Sequence, residues 1–527
     1  MNTSPFCVSK HQFWRFIEVI FRQNDIFLLV LAIYRSYFCI FAPIINLHLR
    51  IVMDKSFVGR KQEIQLLQEI MNSGRSEFVA VYGRRRVGKT YLIQQFFENA
   101  FSFSATGIIE GKKQEELFAF TSSLINAGYT GPQPSNWLEA FEMLKSTLER
   151  QIPKGRCVVY IDELPCFDTP KSGFVHALGH FWNTWASLRN NVILIVCGSA
   201  TSWMIDNIID NHGGLHNRIT HTIYLRQFNL SEAETYLESR KIAWPRRLIV
   251  EAYMMLGGIP YYLSLLNKQE SLAQNIDRLY FRKNSELGQE YRRLYASLFK
   301  SPEPYIRIVE VLGKNRQGLT RNEIATKLKT SSSGTLTKQL ENLQHCDIIR
   351  QYVTKVNGKM KINDAYYQLT DLFTLFHLNF SKKLTTEDYW EQRLNTPVIN
   401  TWQGLAFEQI CMNHIRQIRH ALGLDRIAVE YYSWRSKEPP HAQVDMIIER
   451  ADHLMNLCEI KYSQAEYIIS AEEDSRYRQR MSSFVRETRN RAGILPTWIT
   501  PYGLSPNEYA ADIQYQVTID DLFNPSP

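Results

Sequence analysis

The sequence predicts a multidomain α/β protein, and three observations carry that expectation. The chain has 527 residues, too many for one hydrophobic core, so several units of ordinary domain size are expected. From Phe57 to about Leu230, short β-branched runs alternate with amphipathic stretches, the pattern of a parallel sheet flanked by helices. From Trp390 onward a helix passes into alternating strands, which predicts a second α/β unit.

The expected divisions are an N-terminal extension over 1–52, an α/β core over 53–230, a helical lid over 231–300, a three-helix and hairpin unit over 301–385, and a last α/β unit over 386–527. A hydrophobic content of 44% with 22% charged residues argues against extended disorder. The eight cysteines form no CxxC pair, which predicts a reducing, cytoplasmic setting and no structural zinc. Ile26 to Leu49 is apolar but carries Arg35 and has no small-residue cleavage site, so it reads poorly as a signal peptide or a spanning helix. Met53 is read as the working start, with a translated leader before it. A membrane anchor is the alternative, and no membrane partner is expected.

In the core, Phe78–Tyr82, Cys157–Ile161 and Val192–Cys197 read as strands. The first runs into Gly83-Arg84-Arg85-Arg86-Val87-Gly88-Lys89-Thr90 and then a helix near Tyr91, the strand, GxxxxGK[ST] loop and helix order of a P-loop. Its backbone N–H groups would cradle ATP phosphates at a helix N-terminus, with Lys89 on the β- and γ-phosphates and Thr90 on Mg²⁺. The second strand ends in Asp162-Glu163, which predicts Asp162 in the Mg²⁺ shell and Glu163 orienting the attacking water.

With both motifs present, the sequence resembles the archaeal-type ATPases of the AAA+ and signal-transducing NTPase group, which also occur in bacteria. Phe57-Val-Gly-Arg60 resembles their motif flanking the adenine pocket, and the arginine-rich loop is typical of them. The resemblance covers most of 54–525. It implies Ser199, in Gly198-Ser199, as a γ-phosphate sensor and Pro260, in Gly257-Gly-Ile-Pro260-Tyr-Tyr, near the nucleotide base. Arg218 falls where it could act as a finger on phosphate charge, in trans if the chain self-associates; a surface ion pair is the alternative.

In 301–385, Tyr305, Ile308, Val309 and Leu312 share one helical face, and Thr320-Arg-Asn-Glu323 is a capping box that opens a second helix. A third helix buries Leu336, Leu340 and Leu343, which predicts Thr335, Lys338, Gln339 and Asn342 facing outward. Asn357-Gly358 is a hairpin-turn pair between two strands. The order is that of a winged helix-turn-helix, with double-stranded DNA the expected partner. Lys314 to Lys361 holds ten basic and three acidic residues, nearly the whole net charge of +8. A protein-contact role is the alternative.

In 386–527, the helix from Trp402 places Glu408 at the edge of its buried face, and Val444-Asp445-Met-Ile-Ile and Leu457-Cys-Glu459-Ile-Lys461 read as paired strands. With Trp434 ahead of them, the set resembles the PD-(D/E)XK, restriction-endonuclease-like fold. That resemblance implies Asp445, Glu459 and Glu408 as Mg²⁺ ligands and Lys461 as the residue that steadies hydroxide or phosphate. Val444 stands where the motif has proline. A structural Glu–Lys pair, or the fold without catalysis, is the alternative.

Three readings stay open from the sequence: an ATP- and Mg²⁺-dependent protein acting on DNA, a nucleotide-gated signalling or scaffold protein, and a membrane-tethered ATPase that depends on the N-terminal segment.

Overall fold

The structure, a computed structural model, describes residues 57–525 apart from 152–154, 316, 332, 353–354, 357–358, 361–364, 384–385, 437–438 and 440–441. The 1–52 extension, Met53 and the Asn357-Gly358 turn therefore lie outside the described residues. No helix among the described residues is long and apolar enough to cross a membrane.

The first sheet contains β1 (Glu77–Tyr82), β2 (Phe103–Thr106), β3 (Cys157–Asp162), β4 (Val192–Gly198) and β5 (His221–Tyr224), in the order β2-β3-β4-β1-β5. All four pairings are parallel. The central strands β1, β3 and β4 are buried almost throughout because helices cover both faces. Phe120, Trp137, Phe141, Phe167 and Phe174 pack beneath one face as a cluster of tilted and edge-on rings. The sequence reading lacked β2 and β5. Each has four residues, and neither shows a continuous buried run.

After β5 the strands stop, and helices Leu230–Ser239, Arg246–Leu256, Pro260–Ser264, Leu272–Ile276 and Glu290–Leu298 follow. A turn between them requires glycine at 258, where a Cβ would lie 1.9 Å from the Phe228 carbonyl oxygen.

The next segment has α1 (Glu303–Gly313), α2 (Arg321–Leu328) and α3 (Gly334–His345) beside a small antiparallel sheet. That sheet runs β6 (Leu319–Thr320), β10 (Tyr366–Leu369) and β7 (Ile349–Tyr352), while β8 (Lys355–Val356) and β9 (Lys359–Met360) pair separately. The expected capping box forms, with the Glu323 N–H donating to Thr320 Oγ1 at 3.3 Å and the Thr320 N–H to Glu323 Oε2 at 2.7 Å. Asp371 then caps α4 (Leu372–Phe380) by accepting from the Thr374 N–H at 2.9 Å.

The C-terminal sheet is ordered β11 (Val429–Arg435), β12 (Gln443–Arg450), β13 (Leu454–Ile460), β14 (Gly493–Ile499) and β15 (Tyr515–Val517). β11 to β13 form an antiparallel meander, and β14 and β15 add in parallel. The long helix α5 (Pro397–Asn413) precedes the sheet, and α6 (Ala471–Thr488) is the crossover between β13 and β14. Ser470 opens α6 with a capping box to Glu473.

Candidate functional site

The loop 83–88 leaves the buried end of β1 and enters a helix, Lys89–Phe96, two residues ahead of the expected start. Gly83 has φ +141°, and a Cβ there would lie 2.3 Å from the Leu225 carbonyl oxygen, so only glycine fits beside β5. Gly88 is left-handed, which turns the chain into the helix. The Lys89 ammonium is buried and donates to the Gly83 and Arg84 carbonyl oxygens at 2.9 and 3.0 Å, so it spans the mouth of the loop. The Thr90 hydroxyl donates to Asp162 Oδ2 at 2.8 Å, bringing together two hard oxygen donors of the kind that Mg²⁺ takes.

Beyond β3 the chain bends sharply at Glu163, whose φ of 46° is uncommon for a residue with a side chain. The bend turns its carboxylate toward Ser199 at the end of β4. The Ser199 hydroxyl donates to Glu163 Oε2 at 2.8 Å. Lys89, Thr90, Asp162, Glu163 and Ser199 thus stand at the C-terminal ends of three adjacent parallel strands, the edge where such sheets bind ligands.

Two of the three loop arginines are held by acids of other elements. Arg84 is buried in an ion pair with Asp371, at the head of α4. Arg86 lies 3.2 Å from Glu290 and 4.0 Å from the Tyr261 ring centroid, and Arg85 is half-buried. Arg60 donates from Nη2 to the Val87 carbonyl at 3.1 Å, covers the Phe228 ring and donates its N–H to Glu232 Oε1 at 3.3 Å, tying the start of the core to both the loop and the lid. Pro260 begins its short helix just past Gly258. Arg218 is exposed in the turn before β5.

These motifs fall inside residues 57–266, which match the family described as an ATPase domain predominantly from Archaea. The chain belongs to the archaeal-type P-loop ATPases. An uncharacterised protein of Methanocaldococcus jannaschii is 25% identical over 368 residues, covering 69% of this ATPase and 78% of the relative. An uncharacterised ATP-binding protein of the same archaeon is 49% identical over 43 residues, 8% of this chain and 73% of that one. Among solved structures, a Walker-type ATPase of Pyrococcus abyssi is 18% identical with a TM-score of 0.42, covering 61% of this chain and 96% of its own. The ORC2 protein of Aeropyrum pernix is 13% identical with a TM-score of 0.40, covering 62% and 94%. Residues 57–266 are therefore an ATPase domain, which points to ATP hydrolysis.

A second candidate site lies in the C-terminal sheet. The β12–β13 register pairs Met446 with Cys458, so one step further Asp445 faces Glu459. Lys461 follows one residue past the end of β13, and its N–H donates to the Ile499 carbonyl at 3.0 Å. Glu408, from α5, completes the expected set: all four side chains line one cleft of about 710 Å³. Burial and the neighbouring Glu459 charge push the Asp445 carboxyl above the usual carboxylate range.

Two expectations need correction. The three carboxylates share the cleft but do not converge to within a common ligand distance; among the described residues only Asp277, Asp388 and Glu391 do so. The reason is that both oxygens of Glu459 are held by cations, Oε1 by Lys461 at 2.9 Å and Oε2 by Arg480 at 2.7 Å. Asp277, in the other trio, accepts the Trp390 and Glu391 N–H groups, so it serves as a helix cap.

The second correction concerns α3, whose polar face does not all point outward. Lys338 pairs with Asp206 at 2.8 Å, and the Asn342 carbonyl accepts from Ser202 at 3.5 Å. Asn342 Nδ2 donates to the Tyr305 hydroxyl at 2.9 Å. The helical turns Thr201–Met204 and Ile205–Ile209, which follow Ser199, therefore occupy part of that face. Thr335 is exposed and Gln339 half-buried.

Sequence reasoning missed Arg476, Gln479 and Arg480, which line the cleft from α6. Their signal was present as i, i+3 and i+4 positions on one face, beyond a motif search that stopped at Lys461.

Proposed function

We propose that this ATPase is a Mg²⁺-dependent motor or switch that acts on DNA, and that its C-terminal cleft binds, and cuts, a phosphodiester backbone. The observation that carries the reading is the cleft, where Glu408, Asp445, Glu459 and Lys461 meet beside Arg476 and Arg480.

At the first site, Lys89 leaves the loop carbonyls for the β- and γ-phosphates, and the N–H groups of 83–90 take the remaining phosphate oxygens. Thr90 and Asp162 would hold Mg²⁺, which would supply positive charge against the phosphate oxygens. Glu163, aimed by Ser199, accepts a proton from the attacking water, and Ser199 reports the γ-phosphate. Pro260 borders the base. Arg218, exposed, is free to reach a second copy as a finger.

At the second site, Asp445, Glu459 and Glu408 would hold Mg²⁺ through their carboxylate oxygens once Glu459 is released from one of its two cations. Lys461, once released, meets the scissile phosphate. Residues 301–385 fit a winged helix-turn-helix, with duplex contacts through Lys338 and the wing lysines Lys355 and Lys359.

Two contacts favour a second reading, a nucleotide-gated switch that uses the 301–385 unit for protein contacts. Lys338 and Asn342 already touch the segment that follows Ser199. The experiment that separates the two is ATP turnover with and without duplex DNA. Stimulation by duplex supports action on DNA; turnover indifferent to duplex at any salt concentration supports the switch.

A further inference from the structure

Both carboxylate oxygens of Glu459 are taken, and by cations from different elements. Lys461 holds Oε1 at 2.9 Å from a place two residues along the same chain segment. Arg480 holds Oε2 at 2.7 Å from α6, the crossover helix. The Glu459 side chain is 11% exposed, so water and salt screen these pairs little. A dication that uses Glu459 must therefore displace a cation already at hydrogen-bond distance from the oxygen it needs. Charge balance points the same way. Among the described residues, four acidic and three basic side chains line the cleft, a formal net charge of −1. A dication entering alone turns that to +1, whereas a dication entering with one backbone phosphate brings it to zero.

The two cations on Glu459 are not equivalent. Lys461 is tethered beside it by its own backbone, whose N–H donates to the Ile499 carbonyl at 3.0 Å. Arg480 reaches it through a long side chain that is 28% exposed, from a helix face that carries Arg476 one turn earlier. Arg476 lines the same cleft but pairs with Glu472, at 3.6 Å. A guanidinium is a planar fork suited to two phosphate oxygens at once, so a phosphate in the cleft competes directly with Glu459 for Arg480.

We propose that Arg480 is a displaceable lock on the metal site: a backbone phosphate draws it off Glu459 Oε2, and that oxygen then takes its share of a divalent cation. Phosphate and metal binding are thereby coupled, each strengthening the other by the same factor. The proposal rests on the reading of the cleft as a metal-assisted phosphodiester site, and adds the residue that links its two ligands.

The test uses the full chain without nucleotide and reads Ca²⁺ affinity by calorimetry, with and without a labelled duplex oligonucleotide whose own Ca²⁺ uptake is subtracted. Ca²⁺ stands in for Mg²⁺ to keep the DNA whole, and anisotropy of the label reports that the oligonucleotide is bound. In the wild type, bound oligonucleotide should tighten Ca²⁺ binding about tenfold, a usual size for coupled sites. Arg480→Gln should bind Ca²⁺ about tenfold more tightly than the wild type without DNA, and gain less than about twofold when DNA is added. Arg476→Gln removes the same charge from the same wall but no partner of Glu459, so it should keep the wild-type oligonucleotide effect. That variant separates a lock on Glu459 from a general loss of positive charge.

Equal Ca²⁺ affinity in the wild type with and without bound oligonucleotide overturns the proposal. So does an undiminished oligonucleotide effect in Arg480→Gln, or an effect lost equally in Arg476→Gln. If Arg480→Gln does not fold, as urea unfolding reads, the wild-type comparison decides alone: tightening supports the proposal, and none overturns it. Failure of the underlying reading looks different. In that case the wild type binds no oligonucleotide, or binds no Ca²⁺ in either condition, or Asp445→Ala binds Ca²⁺ as well as the wild type does, and the proposal falls with it.

Discussion

Replacing Asp371 with Asn should destabilise the chain by about 3–5 kcal/mol, the usual loss when a buried ion pair keeps one charge without its partner. Arg84 and Asp371 are 287 residues apart in sequence, and their side chains are 7% and 2% exposed. The Nε and Nη2 atoms of Arg84 have no other acceptor, so the guanidinium cannot share its charge elsewhere. Asn keeps an oxygen for the Thr374 N–H, and thus keeps the cap on α4, worth about 1 kcal/mol. The predicted loss is therefore electrostatic and not a helix-end effect. Because Arg84 belongs to the phosphate loop, ATP affinity should fall with stability. Urea unfolding and ATP titration of Asp371→Asn measure both. The double variant Arg84→Met/Asp371→Asn, which removes the stranded charge, should recover most of the stability. A loss under about 1 kcal/mol with unchanged ATP affinity, or a double variant worse than the single one, would refute the reasoning.

The remaining predictions follow from the two sites and one buried histidine. Lys89→Ala should abolish ATP binding, while Glu163→Gln should bind ATP and slow its turnover by orders of magnitude, as equilibrium binding and steady-state rates would read. Chelation of Mg²⁺ should stop turnover in the wild type. His414 is 1% exposed, accepts from the Leu230 N–H at Nε2 and faces the Ile410 carbonyl with Nδ1, so burial lowers its pKa to about 4. Its stabilising contribution is full above pH ~6.5 and is lost as pH falls from there toward 4, because the unfolded chain takes the proton first. At ~1.36 kcal/mol per pKa unit the ceiling is about 3 kcal/mol, and His414→Gln should flatten that part of the stability profile. For duplex binding, Lys338→Ala with changes at Lys355 and Lys359 should lower a salt slope of about −2.7, at ~0.9 per phosphate. Asp206→Ala should instead raise duplex affinity, because it frees Lys338; no change in either variant would argue for protein contacts.

The nucleotide site was legible because its chemistry is local. Eight consecutive residues, a buried strand before them and two acids after another strand fix Lys89, Thr90, Asp162 and Glu163 on one edge of a sheet. The pairing of Asp445 with Glu459 was legible for the same reason, since alternation and a short turn set the register. What sequence patterns do not encode is docking between distant elements. The loop's own sequence does not show that distant acids hold two of its arginines, Asp371 holding Arg84 and Glu290 holding Arg86. Periodicity identified the buried side of α3 through Leu336, Leu340 and Leu343, yet its polar side has a second neighbour 132 residues back at Asp206. Likewise the grip of Lys461 and Arg480 on Glu459 depends on a helix that begins ten residues after Lys461 and folds back over the sheet.

The most direct measurement follows ATP turnover and DNA integrity in one Mg²⁺-containing reaction, for the wild type, Glu163→Gln and Asp445→Ala. The account predicts that duplex DNA stimulates wild-type turnover, that Glu163→Gln loses turnover, and that Asp445→Ala keeps turnover but leaves the DNA whole where the wild type cuts it. DNA that stays intact with the wild type under every nucleotide condition, together with turnover indifferent to duplex, would contradict it.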